Sequence, residues 1–155
     1  MVSSAEPTGA WTGENAFRLL PEDPPHAASA TAAVQVSGTM TTVGYTWEHP
    51  ADGPQVGLLT LGPGPADEAA TGAPVVALWG DSWHQAPEAR VLTGRVVDDG
   101  SGRREVTVGY EYAEREWRWE VVLTTAPDTL ELRMDNVPLT DGERYAAMTA
   151  TFARP

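Results

Sequence analysis

From Glu116 to Leu123 the chain alternates residue by residue. Glu116, Arg118 and Glu120 are interleaved with Trp117, Trp119, Val121 and Leu123. A period of two belongs to an extended strand with one wet face and one buried face, and no helix can present it. The same period runs through Trp11, Gly13, Asn15, Phe17 and Leu19, through Val43, Tyr45, Trp47 and His49, and through Leu130, Leu132 and Met134 set between Glu131, Arg133 and Asp135. Strands are therefore expected over Trp11 to Leu19, Thr31 to Ser37, Thr41 to His49, Gln55 to Leu61, Val75 to Trp83, Arg90 to Val97, Glu105 to Tyr112, Glu116 to Thr125, Leu130 to Met134 and Tyr145 to Arg154. Turn chemistry separates them, as in Ser37-Gly38-Thr39, Pro50-Ala51-Asp52-Gly53-Pro54, Asp98-Asp99-Gly100-Ser101-Gly102, Ala113-Glu114-Arg115 and Ala126-Pro127-Asp128. Gly62 to Pro74 reads as a long loop or one short helix over Ala66 to Thr71.

Ten one-sided strands joined by short turns close most simply onto the first strand, because closure leaves no unpaired edge. The expected fold is all-β, a single up-and-down antiparallel barrel over residues 11–155 behind a loose tail, 1–10. The length of 155 residues suits one domain. Twenty-two acidic side chains against ten basic ones, all Arg, give a net charge of -12, which excludes nucleic acid and anionic membrane surfaces as partners. No apolar run is long enough for a membrane-spanning helix. With no Cys there is neither disulfide nor thiol nucleophile, and the first residues lack the basic start and apolar core of a signal peptide. A cytoplasmic setting is expected.

Gly9-Ala10-Trp11-Thr12-Gly13-Glu14 resembles the Gly-x-Trp-x-Gly-Glu opening of nitrobindin-like and DUF1579-type barrels. These belong with the lipocalins and fatty-acid-binding proteins among the calycins. The resemblance implies a calycin barrel in which Arg154 covers Trp11, a cation over an aromatic face. Nitrobindin-like barrels hold haem iron through a His near the C-terminus, and Tyr145 to Arg154 contains none, so the resemblance does not bring haem with it. Fatty-acid-binding proteins clamp a carboxylate with Arg-x-Tyr in the last strand. Here Arg144 and Tyr145 are adjacent and point to opposite faces.

If Trp11 faces inward, alternation sends Asn15, Phe17, Tyr45, Trp47, His49, Trp79, Asp81, Trp83, Tyr110, Tyr112, Trp117, Trp119, Met148, Phe152 and Arg154 inward with it. The functional expectation is a site for a small hydrophobic, aromatic or planar molecule. Its ligand-binding residues are Tyr45, Trp47, His49, Trp79, Asp81, Trp83, Tyr110, Tyr112, Trp117 and Trp119, with Trp11 and Arg154 structural. A second reading uses the same interior as an isomerase or lyase, with His49 or Asp81 as base and Tyr45, Tyr110 or Tyr112 as proton donor. A third has a filled interior and a structural or self-associating module, which leaves a homodimer open.

His26, His49 and His84 lie in separate segments without zinc-ligand spacing, so no metal is expected. His26 falls in a Pro-rich loop, while His49 and His84 stand at strand ends, where exposed side chains are usual. Haem through His49 or His84 stays open but is not favoured, and no cofactor is assigned. Asp81-Ser82-Trp83-His84 is not a Ser-His-Asp site, because on a strand Ser82 and His84 face away from Asp81. Neither a Gly-x-Ser-x-Gly elbow nor a phosphate loop occurs, and no catalytic residue is assigned.

Overall fold

The computed structural model describes residues 7–69, 71–112, 114 and 116–155. Among these residues ten strands and no helix occur: β1 Gly9–Phe17, β2 His26–Ser37, β3 Met40–His49, β4 Gly53–Pro63, β5 Ala73–Asp81, β6 Gln85–Asp98, β7 Arg104–Tyr112, β8 Trp117–Ala126, β9 Thr129–Pro138 and β10 Tyr145–Ala153. Each strand pairs antiparallel with its chain neighbours, and β1 pairs with β10, which closes the barrel. The ten expected strands correspond one to one with these.

Boundaries moved where the apolar signal was thin. β2 starts at His26, five residues earlier than expected, because Ala27, Ala28, Ser29 and Ala30 pair with Ala16 back to Gly13 despite their small side chains. β5 ends at Asp81 instead of Trp83. Gly62 to Pro74 is strand end and loop without a helix in its described part, and position 70 lies outside the described residues. Of the expected tail, Gly9 and Ala10 already belong to β1, and residues 1–6 lie outside the described residues. So do positions 113 and 115 of the turn before β8.

The strand ends define two ends of the barrel. At the lower end Trp11 is buried, the Arg154 guanidinium sits 4.1 Å above its ring, and its indole N–H donates to the Pro7 carbonyl at 2.8 Å. The opening motif is explained by this closure. Gly9 has φ of +112°, in the region that favours glycine, and a Cβ on Gly13 would lie 1.8 Å from the Thr151 carbonyl oxygen of β10. The middle is filled by Leu59, Leu92, Leu130, Leu132, Met134 and Met148, all without solvent exposure. Two cavities described below lie on either side of this filled middle, one toward each end.

Candidate functional site

The upper end gathers the last residues of β1, β3, β5, β7 and β9 and the first of the strands between them. β5 stops at Asp81 because the Asp81 carboxylate takes over from the ladder. Its Oδ1 accepts the amides of Trp83 and His84, both at 2.9 Å, and folds residues 81–84 into a turn. Strict alternation is lost there, and Trp83 and His84 both come to the barrel mouth. The other oxygen, Oδ2, accepts the Tyr45 hydroxyl at 2.7 Å and the Trp47 indole at 3.1 Å, while the Trp79 indole donates to the Tyr45 oxygen at 2.8 Å. One fully enclosed carboxylate thus ties β3 to β5 and to the turn.

Burial alone would raise the Asp81 pKa. The His84 imidazole 3.3 Å away, the His84 amide and the Tyr45 hydroxyl outweigh it and hold the carboxyl below its ordinary value. Tyr45 is pushed well above the usual phenol range by burial, and further by the Asp81 charge. Asp81 and Tyr45 are within proton-transfer reach of each other, as an isomerase or lyase would need. Both oxygens of Asp81 are nevertheless committed to donors, and neither residue lines open space. They build the floor.

Above that floor lies a cavity of about 250 Å³, lined by Phe17, Arg18, Leu19, Trp83, His84, Tyr110, Tyr112, Trp119, Asn136, Tyr145 and Ala147. Trp83 meets Phe17 edge to face at 5.3 Å and stacks on His49 at 4.7 Å. His84 packs against Trp47 at 4.6 Å and Trp119 at 5.5 Å. Tyr112 donates to Asn136 Oδ1, Asn136 Nδ2 donates to Tyr145, and Tyr110 donates to Gln85. Burial raises the pKa values of Tyr110 and Tyr112, so both stay neutral hydroxyls. Arg18 is the only cation in the described wall, and it donates to the Pro21 carbonyl.

Three ring nitrogens of wall residues make no hydrogen bond among the described residues and are closed to solvent: Nε1 of Trp119 and both nitrogens of His84, of which Nδ1 lies 3.3 Å from the Asp81 carboxylate. His26 Nε2, on the residue paired with Phe17, and Asn15 Nδ2 share that state. All of these lie in the upper half of the barrel. A second cavity of about 210 Å³ opens at the lower end among Pro7, Leu61, Arg104 and Leu123, and no buried side-chain nitrogen or oxygen there lacks a partner among the described residues.

Of the ten residues expected at the site, Trp83, Tyr110, Tyr112 and Trp119 line the upper cavity. Tyr45, Trp47, Trp79 and Asp81 lie beneath it in the buried network. His49 Nδ1 accepts the amides of Ala51 and Asp52, at 3.1 and 3.0 Å, which makes His49 the cap of its own turn. Trp117 is half-buried at the start of β8 and does not line the cavity. His84, expected as an exposed strand end, is instead almost fully enclosed. Asn136, Tyr145 and Ala147 escaped the sequence reading. A β-bulge between Ala146 and Met148 shifts the inward register of β10, and an Asn or Ala at a strand end carries no apolar signal.

Among solved structures, the crystal structure of Rv2717c from M. tuberculosis is similar to this chain. The TM-score is 0.64, the match covers 96% of this chain and 92% of that one, and 13% of residues are identical. At that identity the likeness shows the barrel fold alone. No protein-family model and no curated protein sequence matches the chain. No helix among the described residues is long and apolar enough to cross a membrane.

The haem implied by nitrobindin-like barrels can be tested against the wall. Neither ring nitrogen of His84 reaches open space, its ring is packed by two indoles, and His49 Nδ1 is already engaged. The cavity also falls short of the roughly 300 Å³ at which sites for drug-sized ligands begin, and a tetrapyrrole is a large ligand by that measure. These residues do not fit haem. No group of three or more His, Cys, Asp or Glu among the described residues is arranged to hold a metal ion.

Proposed function

We propose that the barrel binds one small, neutral, planar or aromatic molecule carrying a hydrogen-bond acceptor in the upper cavity. The observation that carries this reading is the aromatic-walled cavity itself, in which the lining residue Trp119 has an indole N–H without a partner among the described residues. A buried donor without a partner costs about 1–3 kcal/mol, and a ligand acceptor that reached the Trp119 N–H would relieve that cost. Trp83, Phe17 and Tyr110 supply the apolar faces. The engaged Arg18 and the scarcity of other cations favour a neutral ligand over a fatty acid. The structural reasons found for Gly9, Trp11 and Gly13 support grouping the chain with nitrobindin-like and DUF1579-type barrels as a matter of fold, without their haem. The test is a tryptophan-fluorescence titration with quinoline, coumarin, riboflavin, palmitate and haemin. Quenching or a spectral shift by a planar probe, lost in Trp119→Phe, is expected. Emission unchanged by every probe, or a Soret band with haemin, contradicts the reading.

A further inference from the structure

The outer wall of the barrel is divided by charge. On β8 and β9 Arg118 lies 3.7 Å from Glu120, Arg133 lies 3.0 Å from Asp135, and Arg144 reaches Asp135 at 2.8 Å. On the wall formed by β3 to β6 the residues from Thr42 to Thr46, Val56 to Gly62, Val76 to Gly80 and Val91 to Thr93 include no charged side chain. In a chain with 22 acidic residues that is a marked gap. Aliphatic side chains fill it instead: Val56, Leu58, Val76, Leu78 and Val91 are 37 to 61% exposed.

They are contiguous. Leu58 is paired with Gly44 on one side and Gly80 on the other, and Leu78 lies between Thr60 and Val91. The cross-strand row Gly44, Leu58, Gly80 is thus a projecting side chain flanked by two shallow slots. Gly80 sits at the bulge between Trp79 and Asp81, and nothing in the chain's own packing requires a glycine at position 44. A Cβ on Gly80 would meet nothing within 4 Å, a Cβ on Gly44 only the Leu58 side chain at 3.8 Å, and neither has positive φ. A strand glycine marks a bulge, as Gly80 does, or a place where another surface comes close, the reading left for Gly44.

We propose that this wall is a two-fold homodimer interface, with Leu58 of each copy seated in a glycine slot beside Leu58 of the other. Three observations choose a second copy as the occupant. Knob and slot lie side by side in one row, so the surface is self-complementary, as a two-fold contact requires. Two molecules of net charge -12 repel each other least across a face without charge, and this wall is such a face. The five exposed aliphatic side chains span three adjacent strands, β4 to β6, as one contiguous apolar patch of the kind that marks an interaction surface.

Sedimentation equilibrium on the full chain tests this. The wild type is expected at twice its 16.6 kDa chain mass, with association strengthening as added salt screens the repulsion. Leu58→Glu should raise the dissociation constant at least about thirtyfold. Gly80→Arg, which fills open space on its own chain, should do the same with unchanged circular dichroism, whereas Leu139→Glu, exposed elsewhere, should leave the dimer intact. A wild-type chain that stays monomeric at about 100 μM, whether free in solution or floating with phosphatidylcholine vesicles, overturns the proposal. So does a dimer that survives both Leu58→Glu and Gly80→Arg.

Discussion

The two ends of the barrel are built from the same materials and finished differently. At the lower end a tryptophan is capped: Trp11 has a cation over its face and a carbonyl on its N–H. At the upper end Trp119 lines a cavity of similar size to the lower one, yet its N–H has no partner among the described residues. Aromatic content alone therefore does not mark a ligand site. What separates plug from pocket is whether the polar edges of the rings are satisfied, and that is decided by a few side chains at each end.

The largest effect is expected at the floor that separates the upper cavity from the core. Asp81→Ala removes the acceptor of the Tyr45 hydroxyl, the Trp47 indole and two amides, and should cost about 3–5 kcal/mol in urea denaturation. The same residue sets a pH dependence. Its carboxyl is held below the ordinary value of about 3.9, so its contribution to stability is complete above that value and is lost as pH falls through the lower, folded one. Asp81→Asn should therefore flatten the loss of stability in acid. An unchanged slope would show that Asp81 is not the group titrating.

Next in size, Trp119→Phe should weaken planar probes about tenfold, near 1.4 kcal/mol, in the fluorescence titration while stability changes by less. A loss of stability larger than the loss of affinity would make Trp119 a packing residue like Trp11. Arg154→Ala should show the reverse pattern. It removes a cation over an aromatic ring and a hydrogen bond to the Thr8 carbonyl, and is expected to lower stability by about 0.5–1 kcal/mol with probe affinity untouched.

The strands, their order and the Trp11–Arg154 contact were legible because period-two patterning and barrel closure both act at long range and leave the same mark in sequence. The pocket was legible only in part. Trp83, Tyr110, Tyr112 and Trp119 followed from alternation, whereas His84 did not, because Asp81 ends the strand with its own side chain and turns Trp83 and His84 to the mouth together. Tyr45, Trp47 and Trp79 were assigned to the interior, but the ring of donors around Asp81 that takes them out of contact with any ligand depends on side-chain directions that spacing does not encode. Tyr145 and Ala147 were hidden by the bulge in β10.

The most direct test of the contrast between the ends is the indole region of a proton–nitrogen correlation spectrum, where each of the six tryptophans gives one N–H signal assignable by Trp→Phe substitution. Titration with the planar probe that quenches fluorescence most should move the Trp119 signal downfield as its N–H gains an acceptor, shift Trp83 through ring currents, and leave Trp11 in place. A Trp119 signal that does not move at saturation, or a Trp11 signal that moves as far, would contradict the assignment of the upper cavity as the binding site.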